Sequence, residues 1–250
     1  MPCFAKAVLI IDPSTNTVDI TSVVVSSTAG NCKWHGGVLA GNGKIYGIPR
    51  DAPAVLIIDP TTNTADTTTI TGLAGDRKWL GGVLAGNGKI YGIPHQSSAM
   101  LIINPDTNTA DTTSVSGFVG SSLWHGGVLA GNGKIYGIPY DSTSVLVVDP
   151  ATNTVDTTTI TVPGGAAKWS GAVLAKSGSI YSIPRYLSSG LIIDPSTNTT
   201  DSTTVAGLVG ENKWLGGVLA DNGMMYCIPF NTTSVLILRQ ECLVALPSSL

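Results

Sequence analysis

Apolar and polar residues alternate in short bursts along this chain, and the bursts keep a fixed order. Gly36-Gly-Val-Leu-Ala40 precedes Lys44-Ile-Tyr-Gly-Ile48, then Val55-Leu-Ile-Ile58, then the polar, β-branched Ala65-Asp-Thr-Thr-Thr-Ile70. Each burst is strand-sized and none carries a helical period, so the pattern predicts strands throughout. The uninterrupted third burst predicts a strand buried on both faces. The Thr-rich fourth predicts a solvated outer strand whose composition discourages edge-to-edge pairing. Asn42-Gly43 joins the first two, and Asn-Gly supplies the positive φ angles of a two-residue hairpin. It recurs as Asn87-Gly88, Asn132-Gly133 and Asn222-Gly223, with Ser177-Gly178 as the variant. Asp59-Pro60-Thr-Thr-Asn63-Thr64 suits a type I turn, with Asn63 tolerating the left-handed position that follows.

The period is 45 residues: tryptophans stand at Trp34, Trp79, Trp124, Trp169 and Trp214. Residues 36–49 recur letter for letter as 81–94 and 126–139. Such self-similarity marks a repeat architecture, and four strands per unit with polarity rising outward is a propeller blade. The expected fold is therefore all-β, a β-propeller of four-stranded antiparallel blades. A unit alone cannot cover its own faces, so the repeats must stand together. The paired glycines of the first strand fit a crowded inner wall.

Lys44-Ile-Tyr-Gly-Ile-Pro49 followed by Val55-Leu-Ile-Ile-Asp-Pro60-Thr-Thr-Asn-Thr64 resembles the kelch repeat and, equally, the YVTN type of propeller repeat. The resemblance covers residues 7–238. It implies the propeller superfamily, whose members include binding proteins, scaffolds and a minority of enzymes. The chain departs from kelch at Ile48-Pro49, where kelch has Gly-Gly, and at Asp66, where kelch has Trp.

Five inner strand pairs and five outer pairs can be counted, the first outer pair beginning near Ala7. The expected ring has five blades of 45 residues, closed by pairing that N-terminal outer pair with the C-terminal inner pair. However, Ser234-Val-Leu-Ile-Leu238 is a sixth copy of the third strand and competes for the same place. Either the tail lies outside the ring, or it completes the last blade and displaces the N-terminal pair. A third arrangement is a fragment of a larger ring, since Met1-Pro2 aligns with Ile48-Pro49, in mid-repeat. The expected organisation is a single propeller domain over 1–240 with a divergent tail over 241–250, where Arg239-Gln-Glu241 replaces the Asp-Pro turn.

Charge changes the picture little. A net charge of −3 gives no basic footprint for nucleic acid. No apolar run is long enough to span a bilayer as a helix, and no signal peptide is visible, so a cytoplasmic location is the default expectation. Cys3, Cys32, Cys227 and Cys242 lack metal-ligand spacing and are expected as free thiols. No cofactor and no metal are expected.

Candidate chemistry concentrates on one rim. The hairpin tips are nearly constant between units, whereas the loops after each Ile-Pro differ. They carry Arg50 and Asp51, His95 and Gln96, Tyr140 and Asp141, Arg185 and Tyr186, Phe230 and Asn231. The loops before each Trp also vary and carry Arg77, Lys78, Lys168 and Lys213. Aromatic and Arg residues on a diverse rim suit a binding surface, though loops also drift freely. Lys-Trp pairs could hold an anionic or sugar ligand; the alternative is a Trp wedged between blades with its N–H satisfied by backbone. His35 and His125 share a repeat position but make no metal site without a third ligand, and with His95 they read as structural. The only glutamates are Glu211 and Glu241, so paired-carboxylate catalysis has few candidates. These features lead to a non-enzymatic binding module for a protein, a small polar molecule or a carbohydrate. The alternatives are a multivalent lectin and a lyase- or hydrolase-type propeller enzyme.

Overall fold

The structure is a computed structural model describing residues 1–25 and 32–239. It contains strands and no helices among these residues. The chain divides into two compact units, Met1–Ala166 and Ala167–Leu250.

In the first unit, β1 (Ile10–Asp12) and β2 (Thr17–Asp19) form a two-stranded sheet. Three four-stranded antiparallel meanders follow. They comprise β3 (Trp34–Leu39), β4 (Ile45–Pro49), β5 (Leu56–Asp59) and β6 (Thr64–Asp66); then β7 (Trp79–Leu84), β8 (Ile90–Pro94), β9 (Leu101–Asn104) and β10 (Thr109–Asp111); then β11 (Trp124–Leu129), β12 (Ile135–Pro139), β13 (Leu146–Asp149) and β14 (Thr154–Asp156). The second unit holds a fourth meander, β15 (Trp169–Leu174), β16 (Ile180–Pro184), β17 (Ile192–Asp194) and β18 (Thr199–Asp201). A three-stranded sheet of β19 (Trp214–Leu219), β20 (Met224–Pro229) and β21 (Leu236–Arg239) completes it. These five repeats are the blades of a β-propeller fold.

Two expectations change. β21 pairs with β20 in the third-strand place, with Met225 opposite Leu238 and Tyr226 opposite Ile237. The N-terminal pair therefore does not complete the last blade; β1 pairs with β2. A local hairpin closes a far shorter loop than pairing the two ends of the chain, and Val235-Leu-Ile-Leu238 already has the required sequence. The expected tail over 241–250 lies outside the described residues, as does Cys242. The outer strands are also shorter than the sequence suggests. β6 stops at Asp66 because its carboxylate turns back to accept the amide of Thr68 at 2.6 Å and its hydroxyl at 2.7 Å.

Each inner hairpin carries the same irregularity: the register shifts between Trp34 and Gly37 and at the equivalent place in every blade. Gly36 sits in this bulge with φ +78, a left-handed conformation that L side chains avoid. A Cβ on Gly36 would lie 3.0 Å from the Cα of Gly81, and one on Gly81 would lie 3.2 Å from the Cα of Gly126. Glycine is thus needed twice over, for the bulge and for the approach of neighbouring inner strands.

The core lies between blades. In the first unit, Val38, Tyr46, Ile48 and Ile57 of one blade pack with Trp79, Ile90, Leu101 and Ile103 of the next. The pattern repeats one blade on, with Tyr91, Ile93 and Ile102 against Trp124, Ile135 and Leu146. Val173 and Ile183 meet Trp214, Met225 and Leu238 in the second unit. Each fully buried side chain of this size stabilises by about 1.5–3 kcal/mol.

The candidate binding rim

The rim is built on main chain before any side chain matters. In the first unit, the amide of Lys78 donates to the carbonyl of Arg50 at 3.0 Å, and the amide of His95 donates back to the carbonyl of Lys78 at 2.8 Å. Leu123 to His95 and Tyr140 to Leu123 repeat the pair of bonds. In the second unit, Lys213 bonds to Arg185 and Phe230 to Lys213 in the same way. The loops before Trp79, Trp124 and Trp214 are thereby stitched to loops on both sides. The turn uses a left-handed residue two places before the Trp: Arg77, Ser122, Ala167 and Asn212, with φ of 48, 55, 51 and 49.

The lysines are not displayed on this rim. Lys78, Lys168 and Lys213 are 4%, 0% and 1% exposed, which corrects their expected role as surface contacts. The Lys78 ammonium donates to the carbonyls of Arg50, Ala52 and Gly75 at 3.0, 2.9 and 2.6 Å. That of Lys213 donates to Arg185, Leu187 and Gly210 at 3.0, 2.9 and 2.9 Å. Loop carbonyls that no strand can satisfy need buried donors, and a Lys has three. Burial pulls the Lys78 ammonium down to about 8, against the opposing pull of Asp51 and Asp76. Each such lysine also stands 5.7–6.0 Å from the ring of the Trp that follows it. The tryptophans are wedges: Trp34, Trp79, Trp124 and Trp214 donate their indole N–H to a backbone carbonyl of their own blade at 2.8 Å.

In the first unit, Arg50 is paired with Asp51 at 2.6 Å, and the other oxygen of Asp51 accepts the amide of Arg77 at 2.6 Å. Asp51 therefore positions both arginines. The Arg77 and Gln96 side chains are exposed, while Tyr140 and Asp141 are half-buried. His95 is buried, its Nδ1 lying 3.0 Å from the carbonyl of Trp124. Burial lowers its pKa, with Arg50 and Arg77 adding to the effect and Asp141 opposing it.

The structure also gathers residues that repeat spacing kept apart. His35 and His125 lie edge to face with ring centroids 5.1 Å apart, and His95 stands 6.3 Å from His125. Tyr140 stacks on His125 at 5.7 Å and meets His95 edge-on at 5.4 Å. The glycine contacts of the inner strands bring β3 and β11 close enough for this. The only sequence signal was that His35 and His125 share a repeat position.

In the second unit, the Arg185 guanidinium lies 5.6 Å from the ring of Phe230. Its Nε donates to Asn212 Oδ1 at 2.8 Å, and the Asn212 amide donates to the hydroxyl of Tyr186. Phe230 is 52% exposed and Tyr186 38% exposed. The Asn231 amide is held by the carbonyl of Asn212 at 2.9 Å, leaving an exposed side chain beside them.

The cysteines correct another expectation. Cys3 and Cys32 form a disulfide with a Cα separation of 4.2 Å, while Cys227 is a free, buried thiol pushed up to about 12 by burial. Cys3 and Cys32 occupy the repeat positions of Arg185 and Asn212. The disulfide stands where the junction of the last two blades uses a side-chain hydrogen bond.

Neither a protein-family model nor a curated protein sequence matches the chain. Its structure is similar to a streptogramin B lyase, with 11% identity, a TM-score of 0.72, and coverage of 90% of this chain and 70% of that one. It is similar to virginiamycin B lyase from Staphylococcus aureus, with 10% identity, a TM-score of 0.63, and coverage of 83% and 70%. An auxiliary nutrient binding protein from Bacteroides ovatus gives 15% identity, a TM-score of 0.60, and coverage of 83% and 55%. At these identities the likeness is one of fold, and the fold is the β-propeller.

Proposed function

We propose that this protein is a non-enzymatic binding module that presents ligand contacts on the loops after each Ile-Pro. The observation that carries the reading is the patch of half-buried Arg185 with exposed Tyr186 and Phe230. An Arg stacked on one aromatic and hydrogen-bonded through Asn212 to a second is a pre-ordered contact surface. Exposed Tyr and Phe faces beside Asn and Arg donors suit a protein segment or a sugar ring. Main-chain stitching lowers the ordering cost of binding because the loops are fixed beforehand. The kelch- or YVTN-type reading of the repeat belongs with this proposal, supported by the Lys44-Ile-Tyr46 strand and the Asp59-Pro60 to Asn63-Thr64 turn.

The test compares the natural chain with Arg185→Ala/Tyr186→Ala/Phe230→Ala on a glycan array and a peptide array. Signals lost by the triple variant at an unchanged melting temperature support the reading. Signals that survive all three substitutions, or silence on both arrays, count against it.

A further inference from the structure

The first and the last sheet each present a bare apolar face. On the last blade, Val218, Ile228, Val235 and Ile237 are 57, 50, 51 and 52% exposed. Their repeat equivalents on β3 to β5, Val38, Ile48, Val55 and Ile57, are 9, 0, 0 and 6% exposed. There the following blade covers them with Trp79, Ile90, Leu101 and Ile103. The last blade thus bares the forward face that the first four-stranded blade buries.

The β1–β2 hairpin bares the opposite face. Leu9 and Ile11 are the repeat equivalents of Leu101 and Ile103, two of the residues that do this covering. They are 57 and 62% exposed, whereas Leu101 and Ile103 are fully buried. Val18 lies opposite Ile11 in the register and widens the same patch. The other side of the hairpin is occupied: Val8 and Val25 pack with Trp34, Leu56 and Ile58. The hairpin is therefore covered in front and bare behind.

Terminal units of a repeat array ordinarily turn a polar face outward. Here both outer faces are apolar, and each carries the residue types that cover the other within the array. We propose that the forward face of the last blade docks on the rear face of the β1–β2 hairpin of a second copy of this chain. The docking repeats the blade-to-blade interface between molecules, and by repeat equivalence Leu9 and Ile11 meet Val235 and Ile237. Such a contact is heterologous: each copy offers a different surface, so copies add head to tail. The Arg185–Tyr186–Phe230 patch takes no part in it, and the ligand reading stands or falls separately.

The experiment is sedimentation of the full chain over a concentration series, alongside Ile237→Lys and Ile11→Lys. The natural chain should grow in mass with concentration beyond that of one chain. Each variant should stay single where the natural chain assembles, because a lysine ammonium would be stranded in the apolar contact. An equimolar mixture of the two variants should form a complex of two chains and stop there. Between them they keep one intact forward face and one intact rear face. Circular dichroism and an unchanged melting temperature establish that the variants fold, and Val235→Lys or Val18→Lys replaces one that does not. A natural chain that stays single throughout overturns the proposal. So does assembly retained by either folded variant, or a mixture that fails to pair.

Discussion

Tyr46 donates its hydroxyl to the side-chain oxygen of Asn108, at 2.7 Å, on the turn of the next blade. Asn42 completes the clasp, donating to the same hydroxyl at 3.0 Å and to the carbonyl of Pro105 at 3.0 Å. One blade on, Asn87 and Tyr91 hold Pro150 and Asn153 in the same way. The Asn-Gly hairpin therefore has two roles, forming the turn and gripping the neighbour.

Tyr91→Phe should cost about 0.5–1.5 kcal/mol, with more where Asn153 is left unsatisfied. Tyr226, whose hydroxyl accepts from Asn222 and lies 3.8 Å from the Met224 sulfur, provides the comparison. Tyr226→Phe should cost less than Tyr91→Phe in urea unfolding. Equal costs would mean that the clasp contributes nothing.

Lys78→Met should destabilise by about 1–3 kcal/mol, because the Arg50, Ala52 and Gly75 carbonyls lose their donor. The pH dependence has a definite sign. The folded state releases the Lys78 proton near 8, whereas the unfolded chain holds it to 10.5, so the natural protein gains stability as pH rises between those values. Chemical denaturation from pH 7.5 to 10.5 should show that rise and its loss in Lys78→Met.

Asp66 ends β6 by accepting bonds from Thr68 and Thr69. Burial would raise its pKa, but the hydroxyls and amides of those two threonines outweigh it and hold the carboxyl at about 2, below the ordinary 3.8. Its contribution is complete above about pH 4 and disappears as pH falls toward 2. The stability gap between the natural protein and Asp66→Ala should therefore narrow over that window. Asp111, Asp156 and Asp201 are lowered chiefly by the side-chain hydroxyls of Ser114, Thr159 and Thr204, so acid should weaken successive blades together.

Gly81→Ala and Gly41→Ala should differ sharply. At Gly81 the new Cβ meets Gly126 at 3.2 Å in a left-handed conformation costing about 1–2 kcal/mol by itself. At Gly41 it meets open space, and the loss of unfolded-state freedom should be neutral or favour the fold by up to about 1 kcal/mol. Thermal melts of the two variants decide it.

Peptide mapping without reductant should recover Cys3 linked to Cys32. Native Cys227 should resist alkylation until denaturant is added, since its buried thiol has almost no thiolate near neutral pH. Rapid native labelling of Cys227 would contradict its burial.

What could be read from sequence follows the range of each interaction. Asn16, Asn63, Asn108, Asn153 and Asn198 all take the left-handed φ that the Asp-Pro turn implied, because a turn is decided within a few residues. The Trp wedge was legible for a similar reason, as a large amphipathic ring in each unit of an array. The lysine cages were not, because Lys78 meets Arg50 28 residues away and only the packed loops reveal unsatisfied carbonyls. That His35 and His95 both lie beside His125 depends on how closely the inner strands approach, which the glycines permit and no spacing rule measures. The disulfide escaped notice because Cys3 and Cys32 become neighbours only when the loop before Trp34 is stitched to the segment at Cys3.

The clasp also has a consequence in time. Asn108 is 62 residues downstream of Tyr46, and Asn153 is 62 downstream of Tyr91. During N-to-C synthesis, a blade whose four strands have all emerged still lacks its grip until most of its successor is made. Translation would therefore complete each of these two blades one behind the ribosome, leaving it unlatched until its successor is nearly made.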